Sequence, residues 1–356
     1  MSKKASFFLG TNSGDGFYSL FSDITRYDGN WRTYVIKGGP GTGKSGLMKK
    51  IADKADILGT PCERIWCSSD PASLDAVVLP EKKVAICDGT APHIVEPQFA
   101  GAVEQIINLG EFWDSKALKL NSTKIMKLCS KNGSCHKKVS RLLGAIKELE
   151  YDTESMTEDY LDYNKLAAFA NEICLKIPKK TDGSAVNISN RFLSGITPDG
   201  ITTFYSTVRA LCDSVMIISD NYNTVSSKII DIVYKHAIDC GYSVILCRDL
   251  IFTDRISHVI IPELSFGLVT SSPICNFKFK ADKKVSVSRF FKRGLEAEFG
   301  RELEFNREIS EMLFSCCTET LKKAKDIHDD LEELYIKNMD FEAVDGLTSR
   351  LIKKIF

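Results

Sequence analysis

Residues 38–45 read Gly38-Gly39-Pro40-Gly41-Thr42-Gly43-Lys44-Ser45 and satisfy the pattern G-x-x-x-x-G-K-[ST]. The chemistry of that spacing is phosphate binding. Glycines let consecutive backbone N–H groups converge on phosphate oxygens, and a helix starting at the lysine adds the positive end of its dipole. Lys44 is expected to reach the β- and γ-phosphates, Ser45 to hold Mg²⁺ through its hydroxyl, and Gly46 to let the helix begin close to the phosphates. Downstream, Lys83-Val84-Ala85-Ile86-Cys87-Asp88 is an apolar run ending in a carboxylate. Asp88 is therefore the second expected magnesium residue, orienting the metal's shell beside Ser45. The expected ligands are ATP and Mg²⁺; no guanine-reading N-K-x-D segment is evident in the first half.

Hydrolysis also needs a group that orients water toward the γ-phosphate. Asp88 is followed by Gly89, so the adjacent position carries no side chain. Asp70, just past the strand-like segment ending at Cys67, and His93, five residues after Asp88, are the candidates alongside Lys44; either can instead be a surface or capping residue. Glu81 recurs as Glu263 in a half that lacks the phosphate chemistry, which marks that Pro-Glu pair as structural. Arg248 and Arg255 are candidates for an arginine finger if the halves pack face to face.

The elements that must hold these residues are legible as patterns. A β-rich run at 34–36 enters the glycine loop and a helix-patterned stretch at 47–57 leaves it. The stretch VIKGGPGTGKSGLMKKIA then finds a counterpart 182 residues later in IISDNYNTVSSKIIDIVY. At the same offset Val78-Leu79-Pro80-Glu81 meets Ile260-Ile261-Pro262-Glu263, and 84–88 meets 266–270. In the second copy Gly43 becomes Val225, Lys44 becomes Ser226 and Asp88 becomes Thr270, so that half is expected to bind nucleotide weakly or not at all.

After each sheet comes a long helical stretch whose apolar residues alternate three and four apart. Leu128, Cys135, Val139, Leu142, Ile146 and Leu149 correspond to Leu313, Thr320, Ala324, Ile327, Leu331 and Leu334, all at an offset of 185. A turn and a second amphipathic helix follow in each half, so each sheet is expected to carry an antiparallel helical hairpin, either plain packing or a protein-binding arm. The expected fold is α/β: two phosphate-loop domains with mainly parallel sheets. The first spans 1–178 with its hairpin at about 99–177. The second, degenerate, spans 188–356 with its hairpin at about 303–356, and 179–187 form a polar linker.

Composition narrows the partners. Lysine plus arginine and aspartate plus glutamate both number 47 in 356 residues, which gives no warrant for nucleic acid or an anionic membrane. Apolar runs fall short of the ~18 residues of a membrane span. The opening apolar stretch is too short for a signal sequence, so a cytoplasmic location is expected. Twelve cysteines at irregular spacing suit reduced, buried thiols rather than a disulfide framework. Cys129, Cys135 and His136 match none of the usual zinc spacings and read as core, as do Cys316 and Cys317.

Together, the GGPGTGKS loop, CSSDPASLD, VAICDGTAPH and the duplicated layout resemble a family of bacterial P-loop ATPases built from two homologous halves, over essentially the whole chain. The resemblance implies nucleotide binding at Gly38 through Ser45 with Asp88, and implies no substrate. Three functions follow: an ATPase driving or switching a client, a small-molecule or nucleotide kinase, and a non-catalytic nucleotide-gated module. Arg141 is the only arginine between Gly89 and Ala185, which weakens the kinase reading because kinase lids supply arginines. The sensor and finger motifs of hexameric AAA-type ATPases, whose loop is similar, are not found.

Overall fold

A computed structural model describes residues 4–26, 30–181, 183, 185–277 and 281–356; Asp182 and Ser184 of the expected linker lie outside them. The chain forms two similar α/β sheet domains. The first contains β1 (Lys4–Phe7), the hairpin β2 (Gly10–Ser13) and β3 (Gly16–Ser19), then β4 (Arg32–Lys37), α1 (Lys44–Ile57), β5 (Cys62–Trp66), β6 (Leu74–Leu79), β7 (Val84–Asp88) and β8 (Glu104–Asn108). Helices α2 (Ser115–Leu120), α3 (Ser122–Glu158) and α4 (Tyr163–Cys174) follow. The second contains β9 (Ile188–Arg191), the hairpin β10 (Ser194–Thr197) and β11 (Gly200–Thr203), α5 (Tyr205–Leu211), β12 (Ser214–Ser219), α6 (Ser226–Asp239), β13 (Val244–Arg248), β14 (Ile256–Ile261), β15 (Phe266–Ser271) and β16 (Lys283–Ser286). Helices α7 (Leu295–Ile336) and α8 (Phe341–Ile355) end it.

The strand order is β1-β5-β6-β7-β4-β8 in one sheet and, read from the other edge, β9-β13-β14-β15-β12-β16 in the second. Only the third strand of each runs antiparallel to its neighbours. The order is thus the same position for position, and α1 and α6 begin and end 182 residues apart. Each sheet is covered on both faces, as buried, largely parallel sheets require. Tyr34 and Ile36 of β4 face α1 while Val35 faces a central core shared by both domains. That central core holds an antiparallel bridge in which Phe8 and Phe192, both fully buried, exchange two N–H···O bonds of 2.9 Å.

The helices depart from the expected arrangement. Residues 99–114 do not belong to a hairpin: they supply β8 and a short 3-10 turn. α3 and α7, of 37 and 42 residues, pair with one another rather than folding back on their own halves. They bury Val139, Leu143, Ile146 and Thr153 against Cys317, Leu321, Ala324 and Leu331, so Leu143 takes the inner place expected for Leu142. Helices of roughly 55 and 63 Å explain the rest. Each carries the chain across the molecule, and a turn of about four residues drops the next helix on the opposite domain. α4 packs Leu166, Phe169 and Ile173 with Ile229, Ile230 and Val233 of α6. Reciprocally, α8 packs Val344, Leu351 and Ile355 with Leu47, Met48 and Ile51 of α1. Matching bridges fasten both turns, Leu161 to Phe291 and Met339 to Trp113. Asp162 and Asp340 start α4 and α8 by accepting from the Lys165 and Ala343 N–H groups. Among the described residues no helix is long and apolar enough to cross a membrane.

Candidate functional site

The loop between β4 and α1 turns through Gly41 (φ 67°) and Gly43 (φ 91°), backbone conformations that a side chain disfavours. Gly43 caps α1, so Lys44 is the first helical residue and the loop N–H groups gather at the helix's positive end. Lys44 Nζ donates to Gly38 O at 2.8 Å and Gly39 O at 2.6 Å, and lies 3.5 Å from an Asp88 carboxylate oxygen. The other Asp88 oxygen accepts from the Thr90 N–H and hydroxyl, which fixes the carboxylate at the end of β7. Ser45 Oγ accepts from Leu74 N at 2.9 Å and keeps a second lone pair for a cation. β4 and β7 are hydrogen-bonded neighbours, and that adjacency sets Lys44 against Asp88.

These groups open on a cavity of about 1240 Å³, walled by the loop, the β2–β3 hairpin, the segments after β5 and β7, and the facing sides of α3 and α7. Asp70 lines it: its carboxylate accepts from Ser73 Oγ at 2.5 Å and lies 3.5 Å from Lys325 Nζ of α7. Lys137 and Arg141, one turn apart on α3, line it as well. Arg248 and Arg255 do not. Arg248 donates to Thr253 O and Asn190 Oδ1, and Arg255 pairs with Glu154 at 2.7 Å, both around the second domain. The cations brought to the first cavity are thus Lys137, Arg141 and Lys325, and only tertiary packing selects them.

α7 closes the site from above. Glu332 accepts a hydrogen bond from Gly41 N at 3.1 Å, and the Tyr335 ring lies 2.6 Å from where a Gly39 Cβ would stand. A carboxylate of α7 therefore holds one of the N–H groups of the glycine loop. Glu332→Ala is expected to tighten binding of a non-hydrolysable Mg-ATP analogue about tenfold, the value of one charge-assisted hydrogen bond of about 1.5 kcal/mol. Calorimetric titration of both proteins checks this, and unchanged affinity rejects it.

His93 sits on the wall of the same cavity, buried, with Nε2 3.2 Å from Asp75 Oδ2 and its ring between Phe17 and Phe21. Burial opposes charge on the imidazole, but the Asp75 carboxylate and Asp88 outweigh it and raise the pKa above the usual histidine value. Asp75 escaped the sequence reading, although an aspartate inside the apolar run LDAVVL was its signal. It is the extra residue of a β-bulge: Ile65 pairs with Ala76 and Trp66 with Leu74, leaving Asp75 unpaired and its side chain re-aimed toward the cavity.

The second domain repeats the geometry with different chemistry. Asp220 stands where the first loop has Gly38, and its fully buried carboxylate accepts from Val225 N and Ser226 N, both at 2.8 Å. The chain's own anion takes up the N–H groups at the start of α6, and a cavity of about 10 Å³ is left nearby. Glu150 of α3 lies against this region. Burial, then the Asp249 and Asp220 charges, push its pKa up to about 8, against the weaker pull of Arg255 and Asn223. The folded protein therefore binds more protons than the unfolded chain between the ordinary glutamate value and about 8. Stability falls as pH rises through that window. Glu150→Gln is expected to raise the melting temperature by a few degrees at pH 8.5 and to have no such effect at pH 4.5; equal shifts at both would reject this origin.

Of the residues read as core, Cys317 is buried, whereas Cys129 and Cys316 are exposed, Cys129 on the wall of the cavity. Cys135 is half-buried, and His136 lines the cavity, within hydrogen-bond distance of Asn12 Oδ1 at 3.1 Å. No disulfide links any of the twelve cysteines. No protein-family model, curated protein or solved structure matches this chain.

Proposed function

We propose that the chain is a Mg-dependent ATPase made of two copies of a P-loop domain, the first competent and the second a pseudo-site. The observation that carries this reading is the convergence of the glycine loop, Lys44, Ser45 and Asp88 at the mouth of the large cavity. Ser45 and Asp88 are the residues that would hold magnesium, which would supply charge neutralisation at the phosphates. The loop N–H groups orient the phosphates, and Lys44 exchanges its Gly38 and Gly39 carbonyl contacts for phosphate oxygens. Asp70 is the residue assigned to water, because it faces the cavity at the end of the segment after β5. His93 is buried against Asp75, which leaves it unsuited to the role of free base. Displacement of Glu332 ties nucleotide arrival to α7, and α7 ties it to the second domain and to a client.

The same cavity supports a second reading, phosphoryl transfer to a small acceptor. A typical ligand pocket is about 300–1,000 Å³. This one exceeds that range, and Lys137, Arg141 and Lys325 line it as a phosphoryl clamp would. Phosphate release from Mg-ATP, measured beside a titration with a non-hydrolysable analogue, tests both. Release without added acceptor supports the ATPase; binding without release supports a kinase or a nucleotide-gated module. Neither binding nor release rejects the nucleotide reading altogether.

A further inference from the structure

We propose that Cys67, Asp75 and His93 form a second metal site in the first domain, separate from the magnesium residues and suited to zinc. One ligand atom from each residue lies within 4.8 Å of the other two, and all three residues line the large cavity. A thiolate, an imidazole and a carboxylate together are the donor set of a tetrahedral zinc site with three protein ligands, its fourth position left for water. Here that position faces the cavity.

Two features of the structure support the assignment. Asp75 reaches the cluster through the β-bulge, which turns its carboxylate toward the cavity beside Cys67 and His93. His93 is 5 % exposed, and among the described residues its Nδ1 is buried without a hydrogen-bond partner, so the ring is incompletely satisfied by protein.

The second domain provides an internal comparison. The same sheet positions there are Asp249, Ser257 and Cys275. Ser257 is again the unpaired bulge residue, but its hydroxyl donates to Asp249 at 2.8 Å, and the Cys275 thiol lies against Ser194 at 3.0 Å. That domain closes its counterpart cluster with internal hydrogen bonds.

Binding would replace the Cys67 S–H bond by an S–Zn bond and release that proton to solvent, together with the imidazolium proton of His93 whenever it is present. The proposal does not depend on the ATPase reading. The full-length protein, stripped of metal, is titrated with Zn²⁺ and, separately, with Co²⁺. Expected are one zinc per chain and a near-ultraviolet thiolate-to-cobalt charge-transfer band. Cys67→Ser is expected to abolish the band, and His93→Ala to weaken zinc at least about tenfold, whereas Asp88→Asn leaves both metals bound as in the parent. A parent protein without the band or without one zinc per chain overturns the site, and so does a band that survives in Cys67→Ser. Loss of binding in Asp88→Asn would also overturn it, by showing a single metal site rather than two. Because the parent titration is decisive alone, a variant that fails to fold does not shelter the proposal.

Discussion

Lys44→Ala should reduce phosphate release from Mg-ATP by about 10²–10³-fold or more while leaving the fold intact. In the proposed ATPase the lysine is a preorganised positive charge at the point where negative charge develops, and removal of one such group costs on the order of 3–4 kcal/mol of barrier. Among the described residues its ammonium makes two loop carbonyl contacts and the approach to Asp88, and Lys44 belongs to neither the central core nor the one beside α1. The melting temperature should therefore stay close to that of the parent. Single-turnover and steady-state phosphate release with both proteins give the answer; a Lys44→Ala protein that turns over within threefold of the parent removes the catalytic reading of the loop. Gly39→Ala would be a poor substitute, because its new Cβ would strike Tyr335 and disturb α7 as well.

The second large effect concerns how the domains are joined. Arg191 of β9 is almost wholly buried, and its Nε and Nη2 donate to one Glu63 oxygen of β5 at 3.0 and 2.8 Å, across the boundary between the two sheets. The partners are unequally hidden, with side-chain exposures of 2 % for Arg191 and 18 % for Glu63. Glu63→Met strands a buried guanidinium and should cost about 3–5 kcal/mol in denaturant unfolding. Arg191→Met leaves a carboxylate that water can reach and should cost clearly less. The double variant should recover most of the Glu63→Met loss. Equal costs for the two single changes would show that packing, not the stranded charge, sets the energy.

Legibility followed the range of the interactions. The strands and the two helices after the loops were readable because apolar periodicity and glycine placement are local properties, and the 182-residue offset of α1 and α6 could be read before any coordinates. Lys44, Ser45 and Asp88 were findable for the same reason: one motif and one strand end. The exchange of α4 and α8 was not, since their apolar stripes look alike whether they cover their own sheet or the other. Its cause is the length of α3 and α7, and the sequence showed a seam without naming the partner. Arg248 and Arg255 were candidates for the first site only if the halves packed face to face; they lie around the second domain, and the relative facing of two domains leaves no trace in either sequence. Asp75 and Asp220 lay in plain view as acids within or beside apolar runs. What hid them was their partner in space, a bulge for Asp75 and a helix start for Asp220.

The reciprocal placement of α4 and α8 also sets a timetable for synthesis. The Gly38–Ser45 loop and α1 are synthesised well before α8, the helix that packs on Leu47, Met48 and Ile51 from the side away from their own sheet. Phe341 and Val344 of that helix also stand within 3.5 Å of the Gly43 Cβ position. At ≈ 5–20 residues per second, some 300 residues of translation separate loop from cover, tens of seconds in which α1 rests on its own sheet without its second layer. The surroundings of the loop are therefore set by residues made long after the loop itself.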